Sequence, residues 1–351
     1  MHASKPGPSA IGTYHGAAVG IFMSALLGLG QPAQGQTADL DSLIKAAKAE
    51  KSVMIYGTAP INQIGDVYKA FEAKYGIKVE SFQARGSDLT ARFSNEAAAG
   101  IIQADAFMGS DISDQQENPH YFQKLTKANF PNWDQIPDAA KLPGDLSISY
   151  QVSAFSLFWN TNKVTEANRP RTWKDLADPK WKGQVVLVNP RASGTYRSVW
   201  SEVRKLYPDF LTNVAALDPR LAESAAPAAQ QLAAGTGSIA FIGYQSNAEP
   251  LIEKGAPINA APIEGPQISR RNWISAVAGK SPNAGRLFVH FITVDDGLRV
   301  YCKLNSTGQS ILDPDGKKSG CKPLGQNPLY LTIDPVSDAD SEVVIRELKL
   351  P

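Results

Sequence analysis

The stretch Val53-Met54-Ile55-Tyr56-Gly57-Thr58-Ala59-Pro60 opens the pattern that decides the fold. Val53 to Tyr56 is a short, unbroken apolar run, as a strand covered on both faces requires. It stops at Gly57-Thr58-Ala59-Pro60, a cluster of turn residues. Beyond it Ile61, Ile64, Tyr68, Phe71 and Tyr75 recur at helical spacing, and Gly76 stands where a left-handed C-cap is expected. A second strand is predicted from Ile77 to Ala84, a helix through Phe93 to Ala99, and a third strand from Ala104 to Met108 that breaks at Gly109-Ser110-Asp111. Strand, turn and helix alternate as in a parallel sheet with crossover helices.

Upstream of this unit, residues 1–35 contain no acid, one cation at Lys5, an apolar run from Ala17 to Gly30, and the small residues Ala33 and Gly35 at positions suited to cleavage. This reads as a secretory signal peptide, with the exported chain starting near Gln36 and residing in the periplasm. The apolar run is too short and too rich in Gly, Ala and Ser for a membrane anchor. The whole chain carries a formal charge of +1, and Lys5 is the leader's only charge, so the rest is neutral. Without a basic excess there is no electrostatic case for nucleic acid or an acidic membrane surface as partner. The two cysteines, Cys302 and Cys321, are expected to pair in an oxidising compartment. A loop of that length stabilises by roughly 3 kcal/mol when closed.

Downstream, residues 111–146 are polar and irregular, and an extended segment then runs from Ser147 to Trp159. A second set of strand and helix signals follows: Gln184 to Val188, a helix near Gly194, and Ser238 to Ile242. Trp273 to Val277 is extended again and precedes an amphipathic helix, Pro282 to Thr293. Two runs of βα units separated by extended crossings predict an α/β protein of two doubly wound lobes joined by hinge strands. Lobe 1 is expected to comprise 36–150 and 276–351, and lobe 2 to comprise 151–275.

In open α/β sheets ligands bind beyond the carboxyl ends of strands, where helix N-termini offer free N–H groups. The turns at those ends supply the candidates. In the first lobe they are Tyr56, Thr58, Arg85, Ser87 and Ser110; in the second they are Arg191, Ser193, Gly194, Thr195 and Tyr244. Ser193-Gly194-Thr195 suits closure of backbone N–H groups on an anionic oxygen, though Ser and Thr are also ordinary helix caps. The fork of Arg85 suits a carboxylate or phosphate, and equally a solvated turn. Tyr56 and Tyr244 are as readily core as ligand-facing. Trp273 suits stacking on a planar ligand or packing between lobes. Arg270 and Arg271 read as a solvated charged turn, and His290 as a solvated residue on the polar side of its helix. Asp105, Asp111 and Asp114 read as a surface cluster. No GxSxG, HExxH, P-loop or paired-Cys metal spacing is present, so no catalytic residue, cofactor or enzymatic activity is expected. An exported hydrolase is the alternative from another class.

Several segments together resemble a family. They are Val53-Met54-Ile55-Tyr56-Gly57, Phe71 to Val79, Arg85-Gly86-Ser87, Ala104-Asp105-Ala106-Phe107, Phe158 to Val164, Ser193-Gly194-Thr195 and Ser281-Pro282-Asn283-Ala284. Their order and spacing resemble the type II solute-binding proteins of ABC transporters, in the branch with ferric-iron, phosphonate and sugar-phosphate receptors. The resemblance implies a monomer whose two lobes, joined by crossings near Tyr150 to Ala154 and Trp273 to Ala276, close on one ligand and dock on an inner-membrane ABC permease. Ferric receptors of this branch use adjacent tyrosines after the strand that here reads Ile239 to Gly243. This chain has a lone Tyr244, which moves the expected cargo from iron towards a small carboxylate or phosphate-bearing anion. Iron held by Tyr244 and Tyr56 is the alternative, since Fe³⁺ favours anionic oxygen donors.

Overall fold

Periodicity of apolar residues builds each element, and the junctions between elements position the site. The computed structural model describes residues 38–59, 61–84, 86–110, 112–192, 194–305, 308–325, 329–330 and 337–350. The leader therefore lies outside the described residues. The first lobe begins with α1 (Leu40–Glu50), β1 (Ser52–Gly57), α2 (Ile61–Tyr75), β2 (Lys78–Gln83), α3 (Gly86–Ala98), β3 (Ala106–Gly109), the short α4 (Ser113–Glu117) and β4 (Ile148–Ala154). Asp39 caps α1 by accepting from the Ser42 N–H at 2.9 Å. Gly76 closes α2 at φ +69°, the left-handed conformation that favours glycine.

The chain then enters a second sheet through β5 (Ser156–Asn160), α5 (Trp173–Leu176), β6 (Val185–Val188), α6 (Gly194–Leu206), α7 (Phe210–Ala216), β7 (Arg220–Ala222), α8 (Ala225–Ala233), β8 (Ile239–Gly243), α9 (Gln245–Glu253) and β9 (Ile258–Pro262). It returns through β10 (Ile268–Ala276), α10 (Pro282–Thr293), α11 (Gly297–Leu304), β11 (Leu329–Tyr330) and α12 (Asp338–Glu347).

The first sheet has the order β11-β10-β3-β1-β2, with β4 also paired to β10. Strands β2, β1 and β3 are parallel, and β10 runs antiparallel to β3 and β4. The second sheet has the order β7-β6-β8-β5-β9, parallel from β7 to β8 and antiparallel where β5 meets β8 and β9. Both sheets are covered on two faces. In lobe 1, residues of α1, α2, α10 and α11 fill one core, and Leu89 and Phe93 of α3 fill another. In lobe 2, Trp200 of α6 and Phe210 of α7 lie on one face, and Ala228 and Leu232 of α8 on the other. This is the doubly wound arrangement expected from the alternation of strand and helix signals.

The lobe boundaries differ from the expected ones. The extended segment 147–159 is two strands in two sheets, with the crossing at the single residue Phe155. The return crossing is residues 263–267 rather than Trp273 to Ala276, because β10 belongs to the first sheet over its full length. The two crossings are tied to each other: the Phe155 N–H donates to Ile268 O at 3.0 Å. Helix α12 packs on lobe 2 instead of lobe 1. Its Val344 is buried beside residues of α6 and α7, and Arg204 Nε donates to Glu347 at 2.8 Å. Its apolar face needs a partner, and lobe 1 has already covered its own sheet. No helix among the described residues is long and apolar enough to cross a membrane.

Candidate ligand-binding cleft

Because β4 and β10 outrun the carboxyl edge of β1 and β3, they form a polar ribbon leading to the crossings. Register places Arg270 opposite Ser153 and Asn272 opposite Gln151. Alternation along a strand puts these four on one face, and all four line a cleft of about 790 Å³. Asn272 donates to Gln151, whose own amide donates to Ser153 Oγ at 2.9 Å. The intervening Val152 points into the lobe 1 core. Arg271 also turns from the cleft, donating to Ala139 O at 2.9 Å with its guanidinium over Trp273.

Each lobe supplies a wall. From lobe 1 come Thr58 and Ala59 after β1, Gln63 of α2, Tyr301 of α11 and Asn305 at that helix's C-cap. A loop after α11 adds Gln309 and Lys322. That loop is stapled to α11 by the Cys302–Cys321 disulfide, with Cα atoms 5.0 Å apart. Gln309 donates to Pro323 O at 2.6 Å and accepts from Gln267 at 3.2 Å. From lobe 2 come Ser156 at the start of β5, Tyr244 after β8, and Gln245, Ser246 and Glu249 of α9.

Gly243 fixes Tyr244 in place. A Cβ there would stand 2.5 Å from the Phe158 ring and 2.8 Å from Ala225 Cβ, so only glycine fits. The Tyr244 N–H donates to Asn247 Oδ1 at 2.8 Å, and its ring lies 4.8 Å from that of Phe155. Burial raises the Tyr244 phenol above its ordinary pKa, and nearby Arg270 opposes the rise. The hydroxyl nevertheless lacks a well-formed hydrogen bond among the described residues, as does Ser156 Oγ.

The sequence candidates are distributed unevenly around this cleft. Thr58 and Tyr244 line it. Tyr56 does not. Its side chain is fully buried in lobe 1, donating to Glu96 at 2.6 Å and accepting from Arg92 Nε at 2.8 Å. Burial and the Glu96 charge push its pKa up to about 12. The ferric pair of Tyr56 with Tyr244 is thus corrected: one of its phenols is already engaged inside a lobe. Trp273 is buried with Ile112 and Leu142 and does not reach the cleft. Ser110 follows β3 outside the lining, and Arg191 is exposed with its N–H on Asn189 Oδ1 at 3.0 Å. Gly194 opens α6, and Thr195 is half-buried in its first turn, beyond the lining residues. Ser87 falls in the first turn of α3. Arg85 and Ser193 lie outside the described residues.

Three other readings change. Arg270 is in a paired strand facing the cleft rather than in a solvated turn. His290 is 2% exposed with neither ring nitrogen hydrogen-bonded, and its ring lies 5.6 Å from that of Phe130, so the side of α10 expected to be wet is covered. Asp105 is buried, accepting from the Met54 and Ser281 N–H groups at 2.8 and 2.6 Å. Among the described residues no cluster of three His, Cys, Asp or Glu suits a metal ion.

The bacterial extracellular solute-binding protein family matches residues 98–244. Iron-bound HitA from Pseudomonas aeruginosa superposes with a TM-score of 0.62 at 18% identity, over 85% of this chain and 98% of that one. AfuA from Actinobacillus pleuropneumoniae, with fructose-6-phosphate bound, gives 0.59 at 21% identity, over 86% of this chain and all of that one. The chain has the fold of the type II periplasmic binding proteins. Iron uptake protein A1 of Synechocystis is 25% identical to this chain over 140 residues, 39% of this chain and 38% of that one. The matched family model and the superposed structures are of binding proteins rather than enzymes.

Proposed function

We propose that this exported receptor captures a small organic anion, carboxylate or phosphate-bearing, between its lobes and delivers it to an inner-membrane ABC permease. The reading is carried by the balance of the cleft: two cations, Arg270 and Lys322, face one carboxylate, Glu249, among amides and hydroxyls. Amides and hydroxyls bond the polar body of such a ligand, and the excess cation matches its charge. The likeness to AfuA, solved with a sugar phosphate, supports it. The periplasm is the site of action in this reading, and the receptor works as a monomer.

A ferric cargo is the second reading. It is favoured by three phenols on the lining, Tyr150, Tyr244 and Tyr301, and by the likeness to iron-bound HitA. Burial raises the pKa of all three above the ordinary tyrosine value, which opposes the phenolate that Fe³⁺ requires. Calorimetric titration of the mature protein with hydroxy acids, phosphate monoesters, ferric ion and a polyamine separates the readings. Saturable binding of an organic anion is expected. Binding of ferric ion or polyamine with indifference to every organic anion would sink the proposal.

A further inference from the structure

One corner of the cleft lies where the chain crosses between lobes. Ser156 follows the outgoing crossing at Phe155, and Arg270 lies just beyond the return crossing at 263–267. Ser156 is in register with Gly243, which brings it beside Tyr244. The Tyr244 ring in turn lies against Phe155, the crossing residue itself. Three side chains from two sheets thus meet at the hinge. Two of them end in buried hydroxyls without a well-formed hydrogen bond, a rare and costly condition in native proteins. The third is a guanidinium that pairs with no carboxylate among the described residues.

We propose that one carboxylate or phosphate oxygen of the ligand sits at this corner, paired to the Arg270 guanidinium and accepting hydrogen bonds from the Tyr244 and Ser156 hydroxyls. The proposal rests on the organic-anion reading and names the group that reads the charge. The sequence points instead to the helix start at Ser193 to Thr195 and to Arg85. At the hinge corner the anion bonds β10 of lobe 1 and the edges of β5 and β8 of lobe 2. Its oxygens therefore hold both sheets at the joint about which they turn, and charge recognition is tied to the angle between lobes. Amides farther along the ribbon, Gln151 and Asn272, meet the uncharged body of the ligand.

The test is calorimetry on the mature protein with gluconate, citrate and glucose 6-phosphate, and with neutral glucose as the control. The carboxylates and the phosphate ester distinguish the two sources of the anionic oxygen. Arg270→Gln is expected to weaken the bound anion roughly 10- to 100-fold and to abolish its advantage over the neutral control. Tyr244→Phe and Ser156→Ala are expected to weaken it roughly 3- to 10-fold each. Arg270→Lys, which keeps the charge and loses the fork, should fall between and guards against misfolding of the Gln variant. Anion affinity unchanged in Arg270→Gln and Tyr244→Phe overturns this inference and leaves the organic-anion reading standing. Wild-type protein that binds none of the anions but binds ferric ion overturns both.

Discussion

The Arg92–Tyr56 pair of lobe 1 and the Arg270–Tyr244 pair of the cleft differ in one respect. In lobe 1, Arg92 and Tyr56 meet on Glu96: both hydrogen-bond its Oε1, at 2.8 and 2.6 Å, and the guanidinium also stacks 4.0 Å over Phe82. Against burial, which raises it, hydrogen bonds from Tyr56, the Gln103 N–H and Arg92 hold the Glu96 carboxyl below its usual range. In the cleft, Arg270 and Tyr244 meet without such an acid among the described residues, and the phenol makes no well-formed hydrogen bond. A pair completed by its own carboxylate is part of the scaffold. A pair that lacks one, at the edge of a cleft, is suited to a carboxylate or phosphate brought from outside.

The contrast predicts opposite consequences for equivalent changes, and the largest effect tests its boundary condition. His290 is also unpartnered, yet it is sealed in lobe 1 against Phe130, with Asp295 and Lys74 as its charged neighbours, and faces no cleft. Burial lowers its pKa from 6.5 to about 4. Between those values the unfolded chain holds the extra proton, so stability falls as pH drops through 6.5 towards 4, by up to about 3 kcal/mol. Thermal melts from pH 7.5 to 4.5 should register this loss, and His290→Leu should flatten the profile over that window without altering ligand affinity. Glu96→Ala comes next: it strands a guanidinium and a buried phenol and should cost about 2 kcal/mol in denaturant unfolding, again with ligand affinity intact. The smallest and sharpest test is the pair Tyr56→Phe and Tyr244→Phe. The first should cost about 1 kcal/mol of stability and leave binding alone. The second should leave stability within about 0.5 kcal/mol and weaken binding, and a reversal of the two would break the comparison.

Local patterns were enough to read much of the architecture and little of the cleft. Helix α10 runs from Pro282 to Thr293 as its periodicity predicts, and β1 and α2 follow their apolar spacing closely. Gly243-Tyr244 is identifiable as a turn after a strand, and it does reach the cleft. The ribbon was not legible. Ser269-Arg270-Arg271-Asn272 contains no apolar residue, so periodicity calls it a turn. It is held as strand by hydrogen-bonding to β4, a partner remote in sequence. A signal was present all the same: Gln151 and Ser153 alternate with Tyr150 and Val152, the mark of a strand with one wet face. Tyr56 misled for the converse reason, since a tyrosine near a strand end looks the same whether or not another helix has already supplied its acid.

The central claim, that the Arg270–Tyr244 pair takes its missing anion from the ligand, is tested most directly by a crystal structure of the complex with whichever anion calorimetry selects. The expected result is a ligand carboxylate or phosphate oxygen within about 3 Å of both the Arg270 guanidinium and the Tyr244 hydroxyl, with the lobes closed upon it. An anion bound at the α6 start with the hinge corner empty would contradict the claim, as would a ferric ion on the Tyr244 phenolate.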